Sequence, residues 1–309
     1  MRGTLLKAII AVGVLFGSSF GVFAAEKTYV IGFAQDNMAN DWRAAQVHAV
    51  QKALAKYDNV RFIYTDAGGS VAQNIQDIED LGDRGIDLLI MSPRSPQAMT
   101  PVISALYDRG IPVVLLTRTM TNDKFTTFIG PNDTAIASQA ADQIAAARDG
   151  KGDVLVLQGV PTASTAIART AGFVNRIKNH RGLNIIDIIP ANYQRAEAIK
   201  AVQQVIENGT KFDAIYAQSD SMAAGARLAL KESGLDPKTI PIVGIDYIRE
   251  AREAIQSGEQ FASFTYPTCG DVGADVAMRI LRGEQVPRHI EVPSQMVTGE
   301  NVDQIETIF

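Results

Sequence analysis

The chain has 309 residues, enough for two domains of ordinary size, and its 46% hydrophobic and 20% charged residues are typical of a globular protein. Its formal net charge of −5 argues against a nucleic acid as partner. Cys269 is the single cysteine, which excludes an intramolecular disulfide.

Residues 1–24 have the pattern of a secretory signal peptide. Arg2 and Lys7 form a positive n-region, an apolar run follows, and Val22 and Ala24 suit a cleavage site after Ala24. A membrane anchor is the alternative, but the apolar run is too short to span a bilayer. The absence of a cysteine near the junction argues against a lipid-anchored form. We therefore expect a secreted mature chain.

Apolar strands alternate with helical periodicity in the first half of the mature chain. We predict strands at residues 29–33, 60–64, 87–91 and 112–116. Helical spacing is found at Val47, Val50, Leu54 and Tyr57, at Val71, Ile75 and Ile78, and over residues 99–109. This alternation predicts a parallel sheet with helices on both faces.

The same alternation begins again in the second half. Strands are predicted at residues 153–157, 184–189, 213–217 and 241–245, and helices at 165–180, 195–208 and 222–233. Ile-Pro-Val at 111–113 and Ile-Pro-Ile at 240–242 begin corresponding strands of the two halves. Chance similarity of buried strands is the alternative. The order of the matches favours an α/β fold of two doubly wound parallel-sheet lobes, with a ligand site at facing strand ends.

Several strand ends carry motifs that can be compared with a known family. They are GFAQ (32–35), DWRAA (41–45), LLTR (115–118), LQG (157–159), ARTAGF (168–173), YAQSDSM (216–222) and GID (244–246). In their order and spacing these motifs resemble the ribose-binding family of periplasmic receptors, and most of all its galactofuranose-binding type. The resemblance covers essentially the whole mature chain.

The resemblance implies the type 1 periplasmic binding protein fold, with two lobes joined by a three-stranded hinge. The N-terminal lobe would contain residues 25–129 and 266–292, and the C-terminal lobe residues 130–265 and 293–309. Gly130, Pro131 and Pro293 lie where the chain would cross between the lobes. Gly and Pro suit a hinge at such crossings, but they suit any loop as well. The implied function is capture of a sugar or related polyhydroxylated molecule in the periplasm, by lobe closure, for an ABC importer. Its partner would be the membrane permease, and the protein would be a monomer without a cofactor.

The resemblance also implies a set of ligand-binding residues. They are Gln35, Trp42, Arg43, Ser92, Arg118, Arg169, Tyr193, Ser219 and Asp246. A guanidinium can donate two parallel hydrogen bonds to neighbouring hydroxyls, which suits Arg118 and Arg169. The alternatives are surface arginines with packed stems, a core position for Trp42 and a helix N-cap at Asp246. For Asp220 we expect only a cap of the helix that begins near Met222.

Position 117 departs from the family pattern. The family has an Asp-Arg pair where this chain has Thr117-Arg118. The missing carboxylate leaves Arg43, Arg118 and Arg169 against Asp246, so we expect a more cationic cleft than in an aldose receptor. A sugar, a polyol and a sugar acid all remain open as ligands.

Two other functions compete with transport. A sensory partner of a chemoreceptor or histidine kinase would have the same fold, and no motif distinguishes its docking surface. An enzyme is the less favoured reading, because the mature chain lacks the Gly-x-Gly-x-x-Gly, phosphate-loop and Gly-x-Ser-x-Gly motifs. The three histidines, His48, His180 and His289, are scattered, which argues against a metal site.

Overall fold

A computed structural model describes residues 27–309, so the predicted signal peptide lies outside the described residues. The strands are β1 (Tyr29–Gln35), β2 (Val60–Asp66), β3 (Leu88–Met91), β4 (Val113–Leu116), β5 (Thr127–Gly130), β6 (Lys151–Gln158), β7 (Gly182–Pro190), β8 (Ala214–Ala217), β9 (Ile242–Val243), β10 (Ala262–Phe264), β11 (His289–Glu291) and β12 (Met296–Thr298). The helices are α1 (Asp41–Leu54), α2 (Val71–Asp83), α3 (Pro96–Asp108), α4 (Asp133–Ala147), α5 (Ser164–Ile177), α6 (Arg195–Glu207), α7 (Asp220–Glu232), α8 (Arg249–Ser257) and α9 (Gly270–Leu281).

The strands form two six-stranded sheets with corresponding orders. Sheet A has the order β11-β5-β4-β3-β1-β2 and is parallel throughout. Sheet B has the order β12-β10-β9-β8-β6-β7, with β12 antiparallel to its neighbour. The strand order reverses at β1/β3 in sheet A and at β6/β8 in sheet B. In open α/β sheets, ligands bind beyond the strand ends at such points.

Each sheet is buried on both faces, which explains its nearly continuous apolar strands. In β3, Leu88 and Ile90 pack on one side of sheet A, whereas Leu89 and Met91 pack on the other. Strand β6 of sheet B divides its side chains between two clusters in the same way. The predicted fold class, two parallel-sheet α/β lobes, is confirmed.

The chain passes between the sheets three times, after β5, after β10 and after β11. These passages place β11 in sheet A and β12 in sheet B. The lobe boundaries at residues 129/130, 265/266 and 292/293 remain our proposed division of the chain. Among residues 27–309, no helix is long and apolar enough to cross a membrane.

Candidate ligand-binding site

The strand ends of both lobes meet at a polar cavity with about 490 Å³ of empty space, including its mouth. The side chains that line it come from both lobes and from the segment after β10. They are Asp36, Asn37, Asn40, Trp42, Arg43, Arg94, Thr117, Arg118, Val160, Thr165, Arg169, Asn192, Tyr193, Gln194, Ser219, Asp246 and Tyr266.

A buried carboxylate organises the wall formed by the N-terminal lobe. Asp36 directly follows β1 and is 2% exposed. Its Oδ2 lies 3.0 Å from Nη1 of Arg118 and 3.3 Å from Nη1 of Arg94, and its Oδ1 lies 3.4 Å from Nε of Arg43. Burial alone raises the pKa of Asp36, but Arg118, Arg43 and Arg94 together lower it below its ordinary value. Asp36 is therefore an ionised centre shared by three guanidinium groups.

The guanidinium of Arg43 is fixed from behind by neutral side chains. Its Nη1 donates to Ser92 Oγ at 2.9 Å, and Ser92 Oγ lies 3.3 Å from the Thr117 hydroxyl. Gln35 Nε2 donates to the backbone oxygen of Arg43 at 3.0 Å. Burial and the neighbouring Arg118 lower the pKa of Arg43 to about 10, so it remains charged at neutral pH. Gln35 and Ser92 thus position Arg43 and do not themselves line the cavity.

The opposite wall presents Arg169, from α5, as part of a second ion pair. Its Nε donates to Asp133 Oδ1 at 2.7 Å, and its Nη1 donates to the backbone oxygen of Gln218. The ring of Tyr266 lies under the guanidinium, 4.3 Å from its centroid to Cζ, and the Tyr266 hydroxyl donates to Asp133 Oδ2 at 3.2 Å. Burial opposes the charge of Arg169, but Asp133, together with Tyr193, Tyr266 and Asp246, outweighs it and raises the pKa of Arg169 well above its ordinary value.

Tyr193 places an aromatic ring between the two walls. Its centroid lies 5.8 Å from Cζ of Arg118 and 5.9 Å from Cζ of Arg169. The ring packs directly over Gly159, where a Cβ would lie 2.0 Å from Tyr193 Cζ, and its hydroxyl is 3.0 Å from the Thr165 hydroxyl. Gly159 is therefore required by the position of this ring.

Asp246 projects from a strained loop that follows β9. The φ angles of Asp246 and Tyr247 are +121° and +58°, both in a region that non-glycine residues rarely adopt. Asp220 holds this loop, because its Oδ2 accepts from Tyr247 N at 2.6 Å and from Ser263 Oγ at 2.6 Å. Burial raises the pKa of Asp246 well above its ordinary value, against the opposing effect of Arg169. Burial therefore disfavours the charged form of the Asp246 carboxyl.

The structure brings the nine predicted site residues together at one place. Seven of them line the cavity, namely Trp42, Arg43, Arg118, Arg169, Tyr193, Ser219 and Asp246. Trp42 is 5% exposed, packs in the core as well, and donates from Nε1 to the Tyr266 backbone oxygen at 3.0 Å. Ligand contact by each of the nine residues stays a prediction.

The expectation that Asp220 caps α7 is wrong, and the alternative of a helix cap at Asp246 is excluded. Ser219, not Asp220, caps α7, since its Oγ accepts from Met222 N at 3.3 Å. Asp220 is the first residue of α7 and is fully buried in the hydrogen bonds that hold the Asp246 loop. Asp246 does not cap α8, whose N-cap is Ile248 without a side-chain hydrogen bond. Two positive-φ residues delay the start of that helix and leave the Asp246 carboxyl at the cavity.

Sequence reasoning missed several residues of the site. Asp36 supplies Arg118 with the carboxylate that seemed lost at Thr117, so the expected cationic excess is smaller than the sequence indicated. Its position directly after a predicted strand and after Gln35 was an available signal. Asp133 and Tyr266 come from a helix start and from the segment after β10, and no local pattern connects them with Arg169.

The lobes also touch each other directly across the cavity mouth. Asn40 Nδ2 donates to the backbone oxygen of Tyr193 at 2.9 Å, and the Thr119 amide donates to Ser164 Oγ at 3.0 Å. These contacts hold the lobes in a closed arrangement around the cavity. Within the described part of the chain, no group of three or more His, Cys, Asp or Glu residues could hold a metal ion. Two α/β lobes that close around a polar cavity at their strand ends define a ligand-binding protein of the two-lobed type.

Comparison with known proteins agrees with this class. The family model of the periplasmic binding protein domain matches residues 31–285, and the chain belongs to this family. The family and its named members here are substrate-binding proteins, not enzymes.

Three similar proteins illustrate the range of this family. The xylitol-binding protein of Mycolicibacterium smegmatis is 27% identical over 81% of this chain and 72% of its own length. The galactofuranose-binding protein YtfQ of Escherichia coli K12 is 30% identical over 75% of this chain and 76% of its own. Among solved structures, the fructose-binding periplasmic domain of a hybrid two-component system superposes with a TM-score of 0.85. It is 30% identical and covers 89% of this chain and 92% of that domain.

Proposed function

We propose that this protein is the substrate-binding component of an ABC importer, and that it captures a sugar or related polyhydroxylated molecule by closure of its lobes. The observation that carries this proposal is the cavity shared by the lobes. It places Arg118 on one wall and Arg169 and Asp246 on the other, with the Tyr193 ring between them.

The chemistry of these walls matches that of a polyol. Neighbouring hydroxyls accept paired hydrogen bonds from a guanidinium fork, and they donate to a carboxylate such as that of Asp246. The C–H face of a sugar packs on an aromatic ring, a role that suits Tyr193. Proteins named for xylitol, galactofuranose and fructose among the similar proteins support this ligand class.

The proposal includes where the protein works and with what. The predicted signal peptide of residues 1–24 would direct the chain to the periplasm, where the family acts. The partner would be the membrane permease of the importer, and the protein would act as a monomer without a cofactor. Closure would present the rims of both lobes to the permease in a fixed arrangement.

A thermal-shift panel tests the ligand class. We would screen xylitol, myo-inositol, D-ribose, D-galactose and D-fructose, with the sugar acids D-xylonate and D-galactonate. A ligand at ~100 times its Kd stabilises the folded state by about 2.7 kcal/mol, which is readily detected. Arg118→Gln should abolish the shift. Asp83→Asn, a change at an exposed carboxylate of α2, should leave it intact. If no member of the panel shifts the wild type, the proposed ligand class is wrong.

Sensing is the second candidate function, because the fructose-binding domain in the comparison belongs to a two-component system. Transport predicts that deleting the gene abolishes uptake of the radiolabelled panel sugar. Sensing predicts that uptake persists while the transcriptional response to that sugar is lost.

A further inference from the structure

We infer that Asp36 determines the charge of the molecule this cavity accepts, by filling from within an anion site formed by three arginines. This inference rests on the proposed function, since it concerns the ligand of the same cavity. The consequence is selection of a neutral polyol or sugar over the corresponding acid.

The geometry of the N-terminal wall is that of an occupied anion site. The guanidinium groups of Arg43, Arg94 and Arg118 converge on the single Asp36 carboxylate at 3.0–3.4 Å. Arginine forks of this kind bind carboxylates, whether they belong to the protein or to a ligand. Because the Asp36 oxygens already occupy the point of convergence, a ligand carboxylate would have to approach a second anion at close range.

The balance of buried charges around the cavity also favours a neutral ligand. Arg118 and Arg43 are almost fully buried, whereas the Arg94 side chain is 19% exposed and partly solvated at the rim. On the opposite wall Arg169 is paired with Asp133. With Asp246 ionised, the buried charges of the cavity balance: the arginines are Arg43, Arg118 and Arg169, and the aspartates are Asp36, Asp133 and Asp246.

Ionisation of Asp246 is favoured by a neutral ligand. A hydroxyl that donates to Asp246 stabilises its charged form. An unpaired buried charge is costly, so this balanced set accommodates a neutral guest.

The N-H groups left free by Asp36 point to hydrogen bonding with neutral oxygens. The Nε atom of Arg118 is buried without a hydrogen-bond partner in the described structure. Asp36 accepts only part of the donor capacity of three guanidinium groups, each of which has five N-H donors. The remaining donors suit ring and hydroxyl oxygens, which accept hydrogen bonds without bringing charge.

Calorimetry with matched ligand pairs tests this role of Asp36. Xylitol is compared with D-xylonate, which are both open-chain, and D-galactose with D-galacturonate, which are both cyclic, because each pair then differs mainly in one carboxylate. The wild type should bind the neutral member at least about tenfold more tightly. Asp36→Asn, which keeps the size of the side chain, should move the acid-to-neutral affinity ratio about 10- to 100-fold toward the acid, the range of a charge-assisted hydrogen bond. The matched control Asp83→Asn removes an equal charge from the same lobe at a 78% exposed side chain and should leave the ratio unchanged.

Two further measurements keep the outcome decisive. The double variant Asp36→Asn/Arg94→Gln removes one charge of each sign from the same cluster and should return the ratio toward that of the wild type. Acetate should not compete with the neutral ligand for the wild type, because its anion site is already filled, and this measurement needs no variant to fold. A wild type that prefers the acids, or acetate competition, would overturn the inference while leaving the proposed function intact. A wild type that binds neither these pairs nor any other member of the thermal-shift panel would instead contradict the proposed function.

Discussion

Gly159 offers a direct test of whether the Tyr193 ring is part of the binding site. A Cβ added at Gly159 would lie 2.0 Å from Tyr193 Cζ and 2.3 Å from Cε1, distances that non-bonded atoms do not reach. In Gly159→Ala the ring must therefore leave its place. It would lose its 3.0 Å hydrogen bond to the Thr165 hydroxyl.

The magnitude follows from these contacts. Overpacking costs about 1–3 kcal/mol of folding free energy, and a lost hydrogen bond about 1 kcal/mol. For a chain of this size we expect Gly159→Ala to lower the melting temperature by several degrees, by roughly 2–4 °C per kcal/mol. Loss of the ring from the cavity should also weaken binding of the panel sugar roughly tenfold, since an aromatic contact is worth about 0.5–1.5 kcal/mol.

A control and a double-mutant cycle separate the clash from the general effect of alanine. Gly299 has no atom within 4 Å of an added Cβ, so Gly299→Ala should change neither melting temperature nor affinity. In a Tyr193→Ala background, Gly159→Ala should cost less than about 0.5 kcal/mol, because the ring it strikes is absent. Scanning calorimetry and titration calorimetry measure both quantities. Equal effects of Gly159→Ala in the two backgrounds would refute this account of the ring.

Three more predictions concern buried charges. Burial raises the pKa of Asp220 from 3.8 to about 6, so ionisation of Asp220 lowers the free energy of unfolding by up to about 3 kcal/mol as pH rises from 4 to 7. The melting temperature of the wild type should therefore fall over this pH range more than that of Asp220→Asn. Arg169→Ala leaves the buried Asp133 carboxylate without its ion-pair partner, so urea denaturation should show a free energy of unfolding about 3–5 kcal/mol lower than in the wild type. Adding Asp133→Asn to this variant should recover most of the loss. If a ligand hydroxyl donates to Asp246, whose pKa burial raises, affinity should increase with pH, and calorimetry in two buffers should detect proton release; no release at any pH would contradict the ionised Asp246.

The fold was predictable because burial on both faces leaves a strong signal in a strand. Runs such as residues 88–91 and 154–157 are apolar throughout, and their spacing with helical segments gives the doubly wound order. The short strands β5 and β10 to β12 and the helices α4, α8 and α9 were not predicted. They carry too few patterned residues, and their position depends on the neighbouring strand or sheet.

The candidate site was predictable where its residues follow strands directly. Arg118 and Asp246 belong to motifs at the ends of predicted strands, and both line the cavity. The ion pairs were not predictable, because each joins elements far apart in the chain, such as Asp36 with Arg118 and Asp133 with Arg169. Thr117 alone indicated a missing carboxylate, and only the strand order β4-β3-β1 in sheet A shows how Asp36, after β1, reaches Arg118, after β4, and replaces it.

Backbone strain is concentrated at the cavity, which bears on how the site binds. Among residues 27–309, positive φ angles at non-glycine residues include Thr117, Asn192, Tyr193 and Asp246, all of which line the cavity. Such conformations persist only where the surroundings enforce them. Here the Ser92 hydroxyl contacts the Thr117 side chain, and Asp220 holds the loop of Asp246. Because these contacts lie within single lobes, we expect the Thr117 and Asp246 parts of the walls to keep their form when the lobes separate, whereas Tyr193 also depends on its inter-lobe hydrogen bond from Asn40.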